Sequence, residues 1–187
     1  MFITFEGIDG SGKTTQINLL KDWFEKKGYD VLITSEPTNE EVGKILRKRL
    51  KEKTHGWVEA LLFAADRALH CEKTINPNLN KVVICDRYVH SSLAYQSAEG
   101  VDKEWIKCLN KMFPEPDIII YIDIKPETAM KRIKSRKKET EKYEQENFLR
   151  KVRENYLSMK GEKFRIIDGE KTVEEVHKEI ISLFNSF

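Results

Sequence analysis

Cysteine is scarce in this 187-residue chain, and the three present, Cys71, Cys85 and Cys108, form no C-x-x-C pair. An odd count without paired spacing argues against a disulfide framework and for reduced thiols in the cytoplasm. The first residues carry neither a basic leader nor a long apolar stretch, so no signal peptide is expected. No apolar run approaches the roughly 20 residues that span a bilayer, so no membrane partner is expected. Charge of one sign is also missing: 33 Lys and Arg face 31 Asp and Glu, a net +2. A dedicated nucleic-acid binder usually carries a stronger basic excess, although a local basic site for phosphates remains open. The four histidines, His55, His70, His90 and His177, show no metal-ligand spacing and receive no role. Internal repeats and low-complexity linkers are absent, which leaves one domain over residues 1–187.

What is present is a regular alternation of short apolar runs and longer helical patterns. Strands are expected at 2–6, 31–35, 81–85, 117–122 and 164–167. The runs Val82-Val83-Ile84 and Ile118-Ile119-Ile120 suit strands covered on both faces. Helices are expected at 14–27, 40–51, 57–73, 102–112, 126 to about 135, 145–159 and 173–184. In the third of these, Leu61, Leu62, Ala65 and Leu69 read as the buried stripe. The order implies an α/β fold of three layers, a five-stranded parallel sheet with helices on both faces. Residues 134–144 are almost wholly charged and polar, and read as a basic lid at the surface rather than core.

Gly7-Ile8-Asp9-Gly10-Ser11-Gly12-Lys13-Thr14 fits G-x-x-x-x-G-K-[ST] without exception, between an expected strand and an expected helix. Glycines let the backbone curl, consecutive N–H groups form an anion nest, and the helix N-terminus adds positive potential. Lys13 is expected at the β- and γ-phosphates of ATP, the Thr14 hydroxyl at Mg²⁺, and Thr15 beside them. A chance match at a strand–helix turn is the bland alternative, and the context weighs against it. The base-reading N-K-x-D of a GTPase is absent, which lowers a nucleotide-dependent switch.

Asp86 and Arg87 end the buried run at 82–85. Ligands of open parallel sheets sit beyond the carboxyl ends of strands. If this strand neighbours the first, Asp86 is placed to hold Mg²⁺ or its water, and Arg87 to grip a second phosphate. A surface salt bridge is the alternative.

These residues belong to a longer pattern. Phe5-Glu6-Gly7 with Lys13-Thr14-Thr15-Gln16, then Glu36-Pro37, then Leu62-Phe63-Ala64-Ala65-Asp66-Arg67, then D-R-Y-x-x-S-x-x-A-Y-Q over residues 86–96 together resemble the thymidylate kinase family along nearly the whole chain. The resemblance implies a P-loop NTPase fold and transfer of the ATP γ-phosphoryl to dTMP. It implies that Phe63 stacks on the thymine ring and Arg67 donates to a base carbonyl, the two sharing a helix face at i, i+4. Apart from it, Phe63 reads as a core aromatic and Arg67 as a solvated charge. It further implies Asp9 at the sugar hydroxyl, Arg47 and Arg87 at the acceptor phosphate, and Glu36 at the magnesium and phosphate centre. Tyr95 would then favour deoxyribose, and Ser92 and Gln96 would line the base pocket. A homodimer is implied as well, with the apolar helix 57–71 as one surface for it.

The sequence departs from the family at two places. Ser35-Glu36-Pro37-Thr38-Asn39 replaces the usual R-E-P-G-G, and Glu141-Lys142-Tyr143-Glu144 replaces the lid's D-R-x-E. Gly10-Ser11 lacks the P-loop arginine of one family branch, so the catalytic cation is expected from the lid, with Arg136 first among Arg136, Lys137, Lys138 and Lys142. Because an acceptor phosphate is already ionised, no general base is expected. A kinase for another (deoxy)nucleotide or a deoxynucleoside stays open as the alternative.

Overall fold

In the computed structural model, residues 1–52, 54–135, 145–159 and 161–185 are described. Five strands form one parallel sheet: β1 (Phe2–Glu6), β2 (Val31–Ser35), β3 (Val82–Asp86), β4 (Ile118–Asp123) and β5 (Phe164–Asp168). Their order is β2-β3-β1-β4-β5, so β1 lies between β3 and β4. The crossover from β1 runs to one side and that from β3 returns to the other, which puts the topological switch at the carboxyl end of β1.

Period-two alternation explains the layering. On one face Ile3, Phe5, Val82, Ile84, Ile120 and Ile122 pack on α1 (Lys13–Lys26) and α8 (Val173–Ser182), through residues such as Leu20, Phe24 and Ile180. On the other, Tyr121 and Ile124 meet α4 (Val89–Ala98), α6 (Pro126–Lys134) and α7 (Glu146–Ser158) through Ala94, Ala129 and Tyr156. The remaining helices are α2 (Glu41–Lys51), α3 (Gly56–His70) and α5 (Lys103–Asn110), the last capped by the Asp102 side chain at Trp105 N–H, 2.7 Å. Helices on both faces of a five-stranded parallel sheet match the expected architecture.

The structure differs from the expectation at three points. Helix α4 is not foreseen, because its residues are small, polar or buried and draw no stripe. In α3 the assumed buried stripe holds only in part, with Leu62 and Leu69 half-buried. Leu61 is 43% exposed and Ala65 is exposed, while Glu59, Asp66, Arg67 and His70 are buried. Stripe reasoning assumes an apolar interior, whereas α3 lies against a polar one and satisfies it with charged partners. The helix also ends at His70, where a π-helical turn, Cys71–Ile75, takes over.

Candidate active site

The phosphate loop follows β1 directly. Gly7 has φ +149°, and a Cβ there would lie 2.8 Å from the Ile122 carbonyl oxygen, so only glycine fits between β1 and β4. Gly12, at φ +96°, caps α1 from the left-handed region and turns the chain into the helix. Lys13 is buried, its Nζ donating to the Gly7 carbonyl at 3.1 Å and standing 3.9 Å from Asp86 Oδ1. Burial, then repulsion from Arg87, holds its pKa below the usual lysine value. Thr14 and Thr15 are exposed at the helix start, Ile8 is fully buried, and the Ser11 hydroxyl is buried without a hydrogen-bond partner among the described residues.

Strand β3 pairs with β1, Phe5 opposite Asp86, so Asp86 and Arg87 emerge beside the phosphate loop. Asp86 Oδ1 is buried with no hydrogen-bond partner among the described residues. A carboxylate oxygen shielded this way fits a cation or its water shell better than it fits an empty interior. No group of three His, Cys, Asp or Glu among the described residues could hold a metal ion. Arg87 is the one non-glycine residue among those described with positive φ, +71°. Its guanidinium donates to Asp9 Oδ1 (2.6 Å), Tyr95 Oη (3.2 Å) and Ser91 Oγ (3.2 Å), and lies 5.0 Å over the Tyr95 ring. Below it, the fully buried Glu6 carboxyl accepts from Tyr88 N–H, Ser91 Oγ and Tyr156 Oη. Burial pushes its pKa up to about 7 against the pull of these donors and of Arg87.

A second group of side chains is organised by α3. Arg67 is 1% exposed, which overturns its reading as a solvated charge. Its Nε and Nη2 meet Glu36 Oε2 at 2.8 and 2.6 Å, Nη1 donates to Asn110 Oδ1, and Nη2 lies 3.4 Å from Ser92 Oγ. The other Glu36 oxygen meets His70 Nδ1 at 3.0 Å, so both are engaged within the protein. His70 also meets Thr34 Oγ1 at 2.6 Å, a structural role that its sequence spacing did not signal. Gln96 is 1% exposed, and neither end of its amide has a hydrogen-bond partner among the described residues. Phe63 is half-buried on the same helix.

The unusual 35–40 loop is tied from two helices. Thr38 donates through N–H and Oγ1 to the two oxygens of Asp66, 2.7 and 2.6 Å. Arg47 from α2 donates to the carbonyls of Pro37 and Thr38. These bonds fix the loop without the family's paired glycines.

A cleft of about 350 Å³ brings together Asp9, Gly10, Gly12, Lys13, Thr14, Thr15, Glu36, Arg47, Asp86 and Arg87 of the residues singled out from the sequence. Phe63, Arg67, Ser92, Tyr95 and Gln96 do not line it, but Arg67 joins it through Glu36 and Tyr95 through Arg87. Arg136, Lys137, Lys138 and Lys142 lie outside the described residues. Arg132, four residues before Arg136 in the sequence, lines the cleft and donates to the carbonyls of Gly10 and Gly169, both at 3.2 Å. It was missed because it reads in the sequence as one of several cations on a charged helix.

The family model described as thymidylate kinase matches residues 5–180. A probable thymidylate kinase of Pyrococcus horikoshii is 48% identical over 97% of this chain and 94% of its own length. A probable thymidylate kinase of Methanocaldococcus jannaschii is 48% identical with the same coverage, and a thymidylate kinase of Fervidobacterium nodosum is 41% identical over the full length of both.

Proposed function

The chain belongs to the thymidylate kinase family, and we propose from its geometry how it moves the γ-phosphoryl of ATP to dTMP, giving ADP and dTDP. The convergence of Lys13, Asp86 and Arg87 at the carboxyl ends of β1 and β3 carries the assignment of roles.

The loop Gly7–Thr14 and Thr15 hold the triphosphate of ATP. Lys13 exchanges its bond to the Gly7 carbonyl for β- and γ-phosphate oxygens. Thr14 and Asp86 are the residues that would hold Mg²⁺, supported by the buried Asp86 Oδ1, which has no hydrogen-bond partner among the described residues and only the Lys13 ammonium, 3.9 Å away, as an ion-pair partner. When bound, the ion neutralises phosphate oxygens. Arg87 receives the acceptor phosphate and aligns its oxygen with the transferred group, with Arg47 at the same cleft. Asp9 and Tyr95 meet the sugar, Tyr95 disfavouring a 2′-hydroxyl, a reading supported by the hydrogen bonds that both make to the Arg87 guanidinium. Glu36 orients Arg67 through the 2.6 Å ion pair. Arg67, Ser92 and Gln96 read the base edge and Phe63 covers its face. A buried amide with both ends unpaired is costly, and a base with complementary edges offsets that cost. The cation that joins Lys13 at the transition state is assigned by resemblance to the segment after α6, Arg136 first.

Two copies associating through α3 is the oligomeric reading, supported by Trp57 at 53% and Leu61 at 43% exposure on its outer face. No helix among the described residues is long and apolar enough to cross a membrane. The cytoplasm is the compartment that the free thiols of Cys71, Cys85 and Cys108 suit.

The test is ADP formation from ATP·Mg²⁺ against dTMP, dUMP, dCMP, dGMP, UMP and thymidine. Strong preference for dTMP is expected. Flat rates across the panel, or hydrolysis independent of any acceptor, would overturn the site assignment.

A further inference from the structure

Glu6 has no role in the reading above, yet it is fully buried, and its carboxyl accepts from Tyr88 and Ser91 beside the Arg87 turn and from Tyr156 of α7. Oε1 accepts from Tyr88 N–H at 2.9 Å. One residue earlier, Phe5 O accepts from Arg87 N–H, also at 2.9 Å. Two successive residues of β1 therefore hold two successive amides of the turn. Between them the backbone of Arg87 sits at φ +71°, a region that a residue with a long side chain occupies only when its surroundings over-determine it. Oε2 accepts from Ser91 Oγ at 2.6 Å, and Ser91 Oγ receives Arg87 Nη1 at 3.2 Å. Tyr156 Oη, from α7, completes the set at 3.0 Å from Glu6 Oε2 and 3.0 Å from Ser91 Oγ. The backbone and the guanidinium of Arg87 are thus fixed by the same carboxyl, one through Tyr88 and the other through Ser91.

We propose that Glu6 is a positioning residue for the acceptor phosphate: it locks the Arg87 turn in its left-handed conformation and, through Ser91, aims the guanidinium into the cleft, with Tyr156 holding the carboxyl in that pose. A carboxyl buried this deeply is harder to accommodate than a glutamine of the same shape. Glutamine keeps one oxygen for Tyr88 but puts an N–H₂ where Ser91 and Tyr156 now donate. The position therefore distinguishes a group that accepts on both sides from one that merely fills the space.

The inference rests on Arg87 receiving the acceptor phosphate, and the experiment separates the two. Steady-state kinetics of the wild type, Glu6→Gln, Tyr156→Phe and Arg87→Ala are measured with dTMP and ATP each varied. Glu6→Gln is expected to raise KM for dTMP by about tenfold while KM for ATP stays within about twofold. Tyr156→Phe is expected to move KM for dTMP the same way by a smaller factor, about two to five. A folded Glu6→Gln enzyme with unchanged KM for dTMP, or with both KM values raised equally, overturns the proposal. If Glu6→Gln fails to fold, an unchanged KM for dTMP in Tyr156→Phe overturns it instead. An Arg87→Ala enzyme with wild-type KM for dTMP removes the role of Arg87 itself, and Glu6 falls with it.

Discussion

Glu6 is fully buried and His90 half-buried, and their titrations pull stability in opposite directions. Burial raises the Glu6 pKa from 4.5 to about 7, so the native state keeps a proton that the unfolded chain releases near 4.5. Its contribution is present in full below pH 4.5 and is lost as pH rises through 7. Burial, reinforced by Arg67, lowers His90 from 6.5 to about 4, and its Nδ1 is buried without a hydrogen-bond partner among the described residues. Its contribution is present above pH 6.5 and is lost as pH falls through 4. Each displacement covers about 2.5 on the pH scale, worth about 3 kcal/mol at most. For His90 this is an upper value, because the half-buried ring keeps some access to water. The assay is urea unfolding of the wild type, Glu6→Gln and His90→Asn from pH 4 to 8.5, followed by circular dichroism. The wild-type unfolding free energy relative to Glu6→Gln is expected to fall by about 3 kcal/mol between pH 4.5 and 8. Relative to His90→Asn it is expected to rise, by up to about 3 kcal/mol, between pH 4 and 7. A flat difference in either series, or one of opposite slope, would refute the reasoning.

Replacing Lys13 with Ala is expected to lower kcat by at least about 100-fold with the fold intact, since it removes the buried cation of the phosphate loop; single-turnover kinetics beside a circular dichroism spectrum checks this. Gln96→Leu is expected to raise the melting temperature, by relieving two unpaired buried atoms worth about 1 kcal/mol or more, while raising KM for dTMP. A variant that melts lower and binds dTMP normally would contradict it. Thr38→Val is expected to cost about 1 to 3 kcal/mol in denaturant unfolding, because it leaves one buried Asp66 oxygen without its hydroxyl partner.

The strands were legible because β1, β3 and β4 are buried on both faces and their β-branched runs have no competing helical reading. The phosphate loop was legible because its glycines answer to backbone geometry, seen at Gly7 against Ile122. Helix α3 misled because an inward polar face looks like an outward one in sequence: nothing local tells that Glu36 waits 31 residues upstream for Arg67. His70 was passed over for the same reason, since its partners Thr34 and Glu36 come from another element. Glu6 stood in the motif without a role because its donors come from three distant positions, Tyr88, Ser91 and Tyr156, which only the folded sheet assembles.

The pinning of the Arg87 turn has a consequence for exchange and for binding entropy. The amide hydrogen of Arg87 is held by the Phe5 carbonyl of the central, fully buried strand, so its release requires β1 to part from β3 there, and the amide of Tyr88 is held by the fully buried Glu6 carboxyl. In deuterium exchange they are expected to behave as strand amides, although they sit in a substrate-facing turn. The cost of ordering this turn therefore falls on folding rather than on ligand binding. The acceptor meets a surface whose conformational entropy was surrendered earlier, and its affinity is correspondingly less opposed by ordering.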